Sequence, residues 1–298
     1  MAESSRLRNG TRCYSIAGLT VLVSADFPLN EHTYAGKFSQ FRLESPGEDV
    51  FRLHLSGSMP SLAELPTGPK VYDSPPWVIS HAEGSWTYVG VLPESDSGTP
   101  FVAALFDETH GSGTVYRPRQ VWEQGGLDTL TSFPTDQMIL ARTLAERRGC
   151  YVHSCGVVVD GKGFLLVGHS GAGKSTAAKM LMDDGDILSD DRTIVRHWPE
   201  GFRIHGTWSH GEVEIVSAAQ AALRAVLFLE QASVTDLVPV DGPVEQVGLV
   251  LTHMIKPLAT PDWWEKMFDL AQEMTAAVPV YRLRFSLDSR LVPLLRSL

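Results

Sequence analysis

Hydrophobic and polar positions divide the chain into two parts with different rhythms. Up to about residue 130, apolar residues come in short β-type runs at 13–24, 49–55, 77–81, 85–91 and 101–106. Polar or Gly/Pro/Ser-rich turns separate them, the stretch 92–100 among them. Runs of this length between turn residues predict an antiparallel, β-rich domain. A helix over 135–148 then breaks the pattern. Thr135 caps it, Asp136 favours its start, Arg147 and Arg148 favour its end, and Gly149 suits the C′ position. It reads as a join, so the expected organisation is a β-rich domain over 1–130, a connecting helix over 131–149 and a second domain over 150–298.

From Tyr151 onward strands and helices are expected to alternate. Runs 157–160 and 163–167 form a hairpin through Gly161 and Lys162, followed by a helix over 174–184 that stops at Gly185. Ile187 and Leu188 begin a strand that delivers Ser189, Asp190 and Asp191. Further strands are predicted at 193–197, 202–205 and 224–229, then a helix over 261–277, a strand over 280–285 and a short helix over 289–298 despite Pro293. In helix 261–277, Trp264, Met267, Phe268, Ala271 and Met274 fall at helical spacing and read as a core-facing stripe. Trp263 and Trp264, near Lys256 and Pro257, read as packing rather than a stacking site for a base.

Composition narrows the class of protein. The 298 residues are 43% apolar and 20% charged, ordinary for a globular chain with room for two cores. The net charge of −10 disfavours nucleic acid and anionic membranes, both of which need a basic face. It does not bear on a local basic pocket for phosphates. Cys13, Cys150 and Cys155 have no metal or redox spacing and are expected as reduced thiols. No signal peptide is apparent, and no run approaches the roughly 18 apolar residues of a membrane helix. These features predict a cytoplasmic protein with neither membrane nor nucleic acid as partner.

The chemistry centres on residues 168–175. Gly168, His169, Ser170, Gly171, Ala172, Gly173, Lys174 and Ser175 complete the pattern G-x-x-x-x-G-K-[ST], with an apolar strand ahead and a helix from Ser175 and Thr176 behind. Glycines let the backbone turn its N–H groups onto a polyphosphate, and the helix N-terminus adds partial positive charge. Lys174 is placed to reach the outer phosphates, and the Ser175 hydroxyl to ligate Mg²⁺. Residues 168–176 are therefore the expected nucleotide-binding set. Asp190 and Asp191 follow sixteen and seventeen residues after Lys174, at the end of an apolar strand. One carboxylate there can serve Mg²⁺ and another can accept a proton from an attacking hydroxyl; a solvated Asp pair capping a turn gives the same letters. His153 lies twenty-one residues before Lys174.

Taken together, the run from His153 to Asp160, the loop 168–176 and Leu188 to Asp191 resemble the core of the HPr serine kinase/phosphorylase family. That family belongs with the phosphoenolpyruvate-carboxykinase-like P-loop folds and transfers the γ-phosphate of ATP, with Mg²⁺, to a serine. The resemblance implies an α/β P-loop kinase domain preceded here by the β-rich domain. It makes His153 the active-site histidine, Lys174 the phosphate-binding lysine, Ser175 the metal-ligating hydroxyl and Asp191 the proton acceptor. A downstream glutamate on Mg²⁺ matches Glu212, with Glu214 in reserve. The resemblance covers about residues 150–230. The Pro-Gly-Arg-Asn run and apolar helix that follow the family's core have no counterpart, nor does its regulatory domain, so HPr is not the expected acceptor. The chain is similar to divergent relatives that accompany peptide- and natural-product-modifying systems.

The leading expectation is a kinase that moves the γ-phosphate of ATP to a hydroxyl, a serine of a peptide, protein or small molecule. An ATP-binding module that recognises a partner without chemistry is the alternative, and a decarboxylating carboxykinase is a third reading. A homo-oligomer is compatible with all three. The loop 207–216, with Trp208, His210, Glu212 and Glu214, reads equally as a flap over the site or a polar surface loop.

Overall fold

The computed structural model describes residues 10–82, 84–91, 100–131, 136–256, 260–287 and 290–298. The turn at 92–99, Thr135, Pro257 and the Ser289 start of the last helix lie outside these. The chain divides into two units, one up to Thr143 and the other Leu144–Leu298. The division falls inside the helix that the sequence sets between the domains.

Among the described residues, the first unit holds strands β1 (Arg12–Ile16), β2 (Leu19–Ala25), β3 (Arg42–Leu43), β4 (Val50–Ser56), β5 (Lys70–Ser74), β6 (Trp77–Ala82), β7 (Ser85–Val91), β8 (Pro100–Asp107) and β9 (Ser112–Tyr116). They form one sheet in the order β3-β1-β2-β4-β9-β8-β7-β6-β5. The run at 13–24 is two strands rather than one. Ala17 and Gly18 both take positive φ, 49° and 75°, and turn the chain back as a two-residue hairpin. The sheet is mixed, not antiparallel: β4 lies parallel to both β2 and β9. Strict alternation on β4 places Phe51, Leu53 and Leu55 in the core with Arg52 and His54 on the other face.

Two short helices follow, α1 (Arg119–Glu123) and α2 (Gln137–Ala145). Asp136 precedes α2 and accepts hydrogen bonds from the amides of Leu130 and Thr131. The left-handed residue after α2 is Arg148, at φ 54°, and Gly149 instead opens the next strand. The helix therefore ends at Ala145, three residues short of the expected end at Arg148, and the left-handed position comes one residue before the glycine.

The second unit contains β10 (Gly149–Val159), β11 (Lys162–Val167), α3 (Lys174–Leu181), β12 (Asp186–Ser189), β13 (Arg192–Trp198), β14 (Gly201–His205), β15 (Gln220–Gln231), β16 (Asp236–Pro239), α4 (Pro243–His253), α5 (Pro261–Ala277), β17 (Val280–Phe285) and α6 (Leu291–Ser297). The expected alternation fails after α3, where β12 to β16 follow one another. The β10–β11 turn is Asp160-Gly161, φ 50° and 76°, one residue before the expected position. Helix α3 stops at Leu181, where turn bonds from Asp184 and Gly185 end on the Leu181 carbonyl. Strand pairings β11–β10–β13–β14–β15–β11 close a ring, from which β17 and β16 extend. The strands that matter most for the site are β11, β15 and β17, which run parallel.

The two faces of this sheet carry separate cores. Helices α4 and α5 cover one, with Val167, Phe228, Val250, Met254 and Trp263 inside. Helices α3 and α6 cover the other, with Leu166, Ala177, Leu181, Leu229 and Phe285. On α5 the buried stripe is Trp263, Met267, Leu270, Ala271 and Met274, while Trp264 and Phe268 are exposed. The expected stripe shares its centre with this one and differs at the flanks. Helical periodicity alone cannot choose between neighbouring flanks; the docking of α5 on the sheet does. Among the described residues, no helix is long and apolar enough to cross a membrane.

Candidate active site

Strand β11 ends at Val167 and helix α3 begins at Lys174, so residues 168–173 form a six-residue loop at the C-terminal end of β11. Gly171 and Gly173 take φ of 82° and 104°. That left-handed conformation brings the chain directly into the first turn of α3, whose Ala177 amide bonds the Gly173 carbonyl at 2.8 Å. Ala177, Ala178 and Leu181 anchor the helix in its core. The α3 N-terminus thereby stands fixed at the loop, and the first-turn amides of a helix have no partner within it.

Lys174 is nearly buried, and its Nζ donates to the carbonyls of Gly168 at 2.8 Å and His169 at 3.1 Å. Burial pushes its ammonium below the usual lysine range, an effect that Asp191, Cys155 and Asp190 partly oppose. Ser175 is half-buried and its hydroxyl donates to Asp190 at 3.4 Å. His169, Ser170 and Thr176 are exposed.

The pairing of β10 explains why His153 meets the Asp pair. Gly156 on β10 pairs with Ser189 at the end of β12, and His153 pairs with Arg192 at the start of β13. The intervening Asp190 and Asp191 must therefore turn across β10 next to His153. The Asp191 carbonyl accepts from the Ser154 amide at 3.1 Å, and His153 Nδ1 lies 3.1 Å from the Asp191 carboxylate. Arg192 reaches the other carboxylate oxygen at 3.0 Å. Burial raises the Asp191 carboxyl, but the His153 hydrogen bond and the Arg192 charge more than offset it, so it lies below the usual range.

Asp190 is placed quite differently. Its side chain is 2% exposed and accepts from the amides of Gly211 at 2.7 Å and Val213 at 2.9 Å. Ser189 adds a bond to the Ser209 carbonyl, and Thr207 one to the Arg192 carbonyl. The loop 207–216 is thus stitched to the Asp pair, with Trp208 and Val213 buried. Glu212 sits between the two amides that bind Asp190, yet its side chain is exposed, as is that of Glu214. Among the described residues, no three His, Cys, Asp or Glu side chains converge as a metal cluster. The hard oxygen donors gathered at Ser175 and Asp190 are nevertheless the kind that fits Mg²⁺ shared with phosphates.

Beside the loop opens a cavity of about 640 Å³, lined by residues 167–172, 228–231, Leu249, His253 and Arg282. Sequence reasoning missed its far wall. Gln231 Nε2 donates to the Gly171 carbonyl at 3.0 Å, and Glu230 pairs with Arg282 at 2.6 Å. His253 ends α4, a helix that the sequence reading passed over. Pro243 in its first turn and Val244, Val247, Val250 and Leu251 at helical spacing were the available signal.

The family described as SynChlorMet cassette protein ScmC matches residues 129–293. The chain belongs to this family. The match spans every residue of the site and of the cavity. No curated protein matches the chain.

Proposed function

We propose that the chain is an ATP- and Mg²⁺-dependent phosphotransferase that moves the γ-phosphate to a hydroxyl, a serine of a peptide, protein or small molecule. The observation that carries the reading is the convergence, at one loop, of Lys174, Ser175 and Asp190 on one side and the His153–Asp191 pair on the other. Phosphate binding alone needs no ion-paired carboxylate beside it. The sequence resemblance to the HPr kinase core agrees with this assignment, and the divergent surroundings argue for an acceptor other than HPr.

Each group has one part. The amides of Gly171 and of 173–175 and the ammonium of Lys174 hold the phosphate oxygens, which requires Lys174 to exchange its two carbonyl partners for ligand; the Ala172 amide stays on the His169 carbonyl. Ser175 and Asp190 would hold the metal, which when bound neutralises charge on the phosphates. Asp191, ionised and aligned by His153, accepts a hydrogen bond from the acceptor hydroxyl and takes its proton. Its lowered pKa makes it a weak base, suited to proton transfer late in a loose transition state.

Calorimetry with MgATP and a phosphate-transfer screen against peptides, free serine and small alcohols test the reading. Lys174→Ala should retain the fold and lose at least tenfold in MgATP affinity. Failure of the native chain to bind MgATP would overturn the proposal. Binding without transfer to any hydroxyl would leave a nucleotide-binding module in its place.

A further inference from the structure

Resting on that reading, we infer that the cavity beside the loop is the nucleoside subsite, taking the base and ribose of ATP, with Leu249, His253 and Phe228 as its walls. Its position supports this. One side of the cavity is the loop segment 168–172, so a phosphate chain held there enters it directly. Neither Asp190, Asp191 nor Ser175 lines it. A γ-phosphate presented to Asp191 therefore leaves the opposite end of the nucleotide on the cavity side.

The chemistry of the walls fits a heterocycle and a sugar. Val167, Phe228, Leu229 and Leu249 supply apolar surface, and about 640 Å³ lies within the range of roughly 300–1,000 Å³ usual for small-molecule sites. The rings of Phe228 and His253 lie 5.4 Å apart and give an aromatic corner on which a base can stack. His253 Nδ1 lies 2.8 Å from the Leu249 carbonyl of its own helix. A carbonyl only accepts, so the proton sits on Nδ1 and a neutral ring offers Nε2 as an acceptor, the role an exocyclic amine requires. Burial lowers the His253 pKa first, and His153, Lys174 and His169 add to that, while the Leu249 bond opposes it. Glu230 and Arg282 bring an acceptor and a donor to the far side, where ribose hydroxyls need both.

The register of the sheet builds this pocket. Val167 pairs with Phe228 across parallel β11 and β15, so the three residues after Phe228 run on beside the loop. Gln231 then ties to Gly171 and fixes the gap between strand and loop.

Two variants and two probes test the inference. Leu249→Trp should fill the cavity from a half-buried helix position, and His253→Ala should open the aromatic corner. Each is titrated with MgATP and with Mg-tripolyphosphate, which has the phosphates but no nucleoside. The native chain should bind MgATP at least tenfold more tightly than tripolyphosphate. Leu249→Trp should bring the two affinities together by weakening MgATP alone, and His253→Ala should narrow the gap. If Leu249→Trp keeps native MgATP affinity, or weakens both probes equally, the cavity is not the nucleoside subsite. If the native chain binds neither probe, the phosphotransferase reading itself falls, and the inference with it.

Discussion

Replacing either aspartate of the Asp190–Asp191 pair by asparagine should separate an architectural role from a chemical one. Asp190 is 2% exposed, and its two oxygens take the amides of Gly211 and Val213. Asparagine keeps one carbonyl for one amide and presents an NH₂ group to the other. A charge-assisted bond worth about 1.5–3 kcal/mol becomes a neutral one of about 0.5–1.5, and a buried amide left unpaired costs about 1–3 more. The expected net loss is about 2–4 kcal/mol. In the 155-residue unit Leu144–Leu298 that lowers the melting temperature by about 5–15 °C, at roughly 2–4 °C per kcal/mol. Among the described residues, the Asp191 carboxylate pairs with partly exposed His153 and Arg192, at 38% and 26% side-chain exposure. Such a pair is worth about 0–1 kcal/mol, so Asp191→Asn should melt within a few degrees of the native chain. It should instead lose roughly 10²–10⁴ in transfer rate with little change in MgATP affinity. Thermal melts of both variants, read beside transfer rates, decide the matter. Native melting of Asp190→Asn would refute the claim that this carboxylate anchors the loop 207–216.

Two further outcomes follow from the backbone and the interior. At Gly173, φ is 104° and an added Cβ would lie 2.6 Å from the buried Phe285 ring, so Gly173→Ala should destabilise well beyond the about 1–2 kcal/mol of a left-handed alanine. Gly201→Ala, at φ 116° with open space around the new Cβ, is the control; equal losses in denaturant melts would show that the Phe285 contact is easily relieved. His205 is buried and accepts from the Trp198 indole at 3.3 Å, and burial, then Arg203 and Arg196, push its pKa down from 6.5 to about 3. The unfolded chain therefore binds the extra proton between those values. Its contribution is complete above about pH 6.5 and is lost as pH falls toward 3, by up to about 1.4 kcal/mol per unit. His205→Gln should flatten that acid limb in urea titrations at pH 7 and pH 5, and an unchanged slope would remove His205 as its source.

What was legible in the sequence was local, and what was not depends on register. A loop between an apolar strand and a helix announces itself, because its glycines, Lys174 and Ser175 act through neighbouring backbone. The ends of α5 and β17 could be read for the same reason: Pro261 opens one, and the run from Val280 to Phe285, rich in strand-forming residues, bounds the other. The sheet order could not, because β10 pairs with three different strands and no residue type along it records which. The hold of Asp190 on Gly211 and Val213 was equally silent, since any sequence supplies amides there. Gln231 and His253 carry no chemical signature of a site at their own positions. They border the loop only because β15 runs parallel to β11 and outlasts it, and because α4 ends against β10, where the Ile255 amide bonds the Tyr151 carbonyl at 2.9 Å. The motif from which phosphate chemistry is proposed is thus written in a contiguous stretch, while the shape of the cavity beside it is written in strand lengths. In this chain the reach of β15 past Val167, rather than any motif, decides that there is a pocket beside the loop.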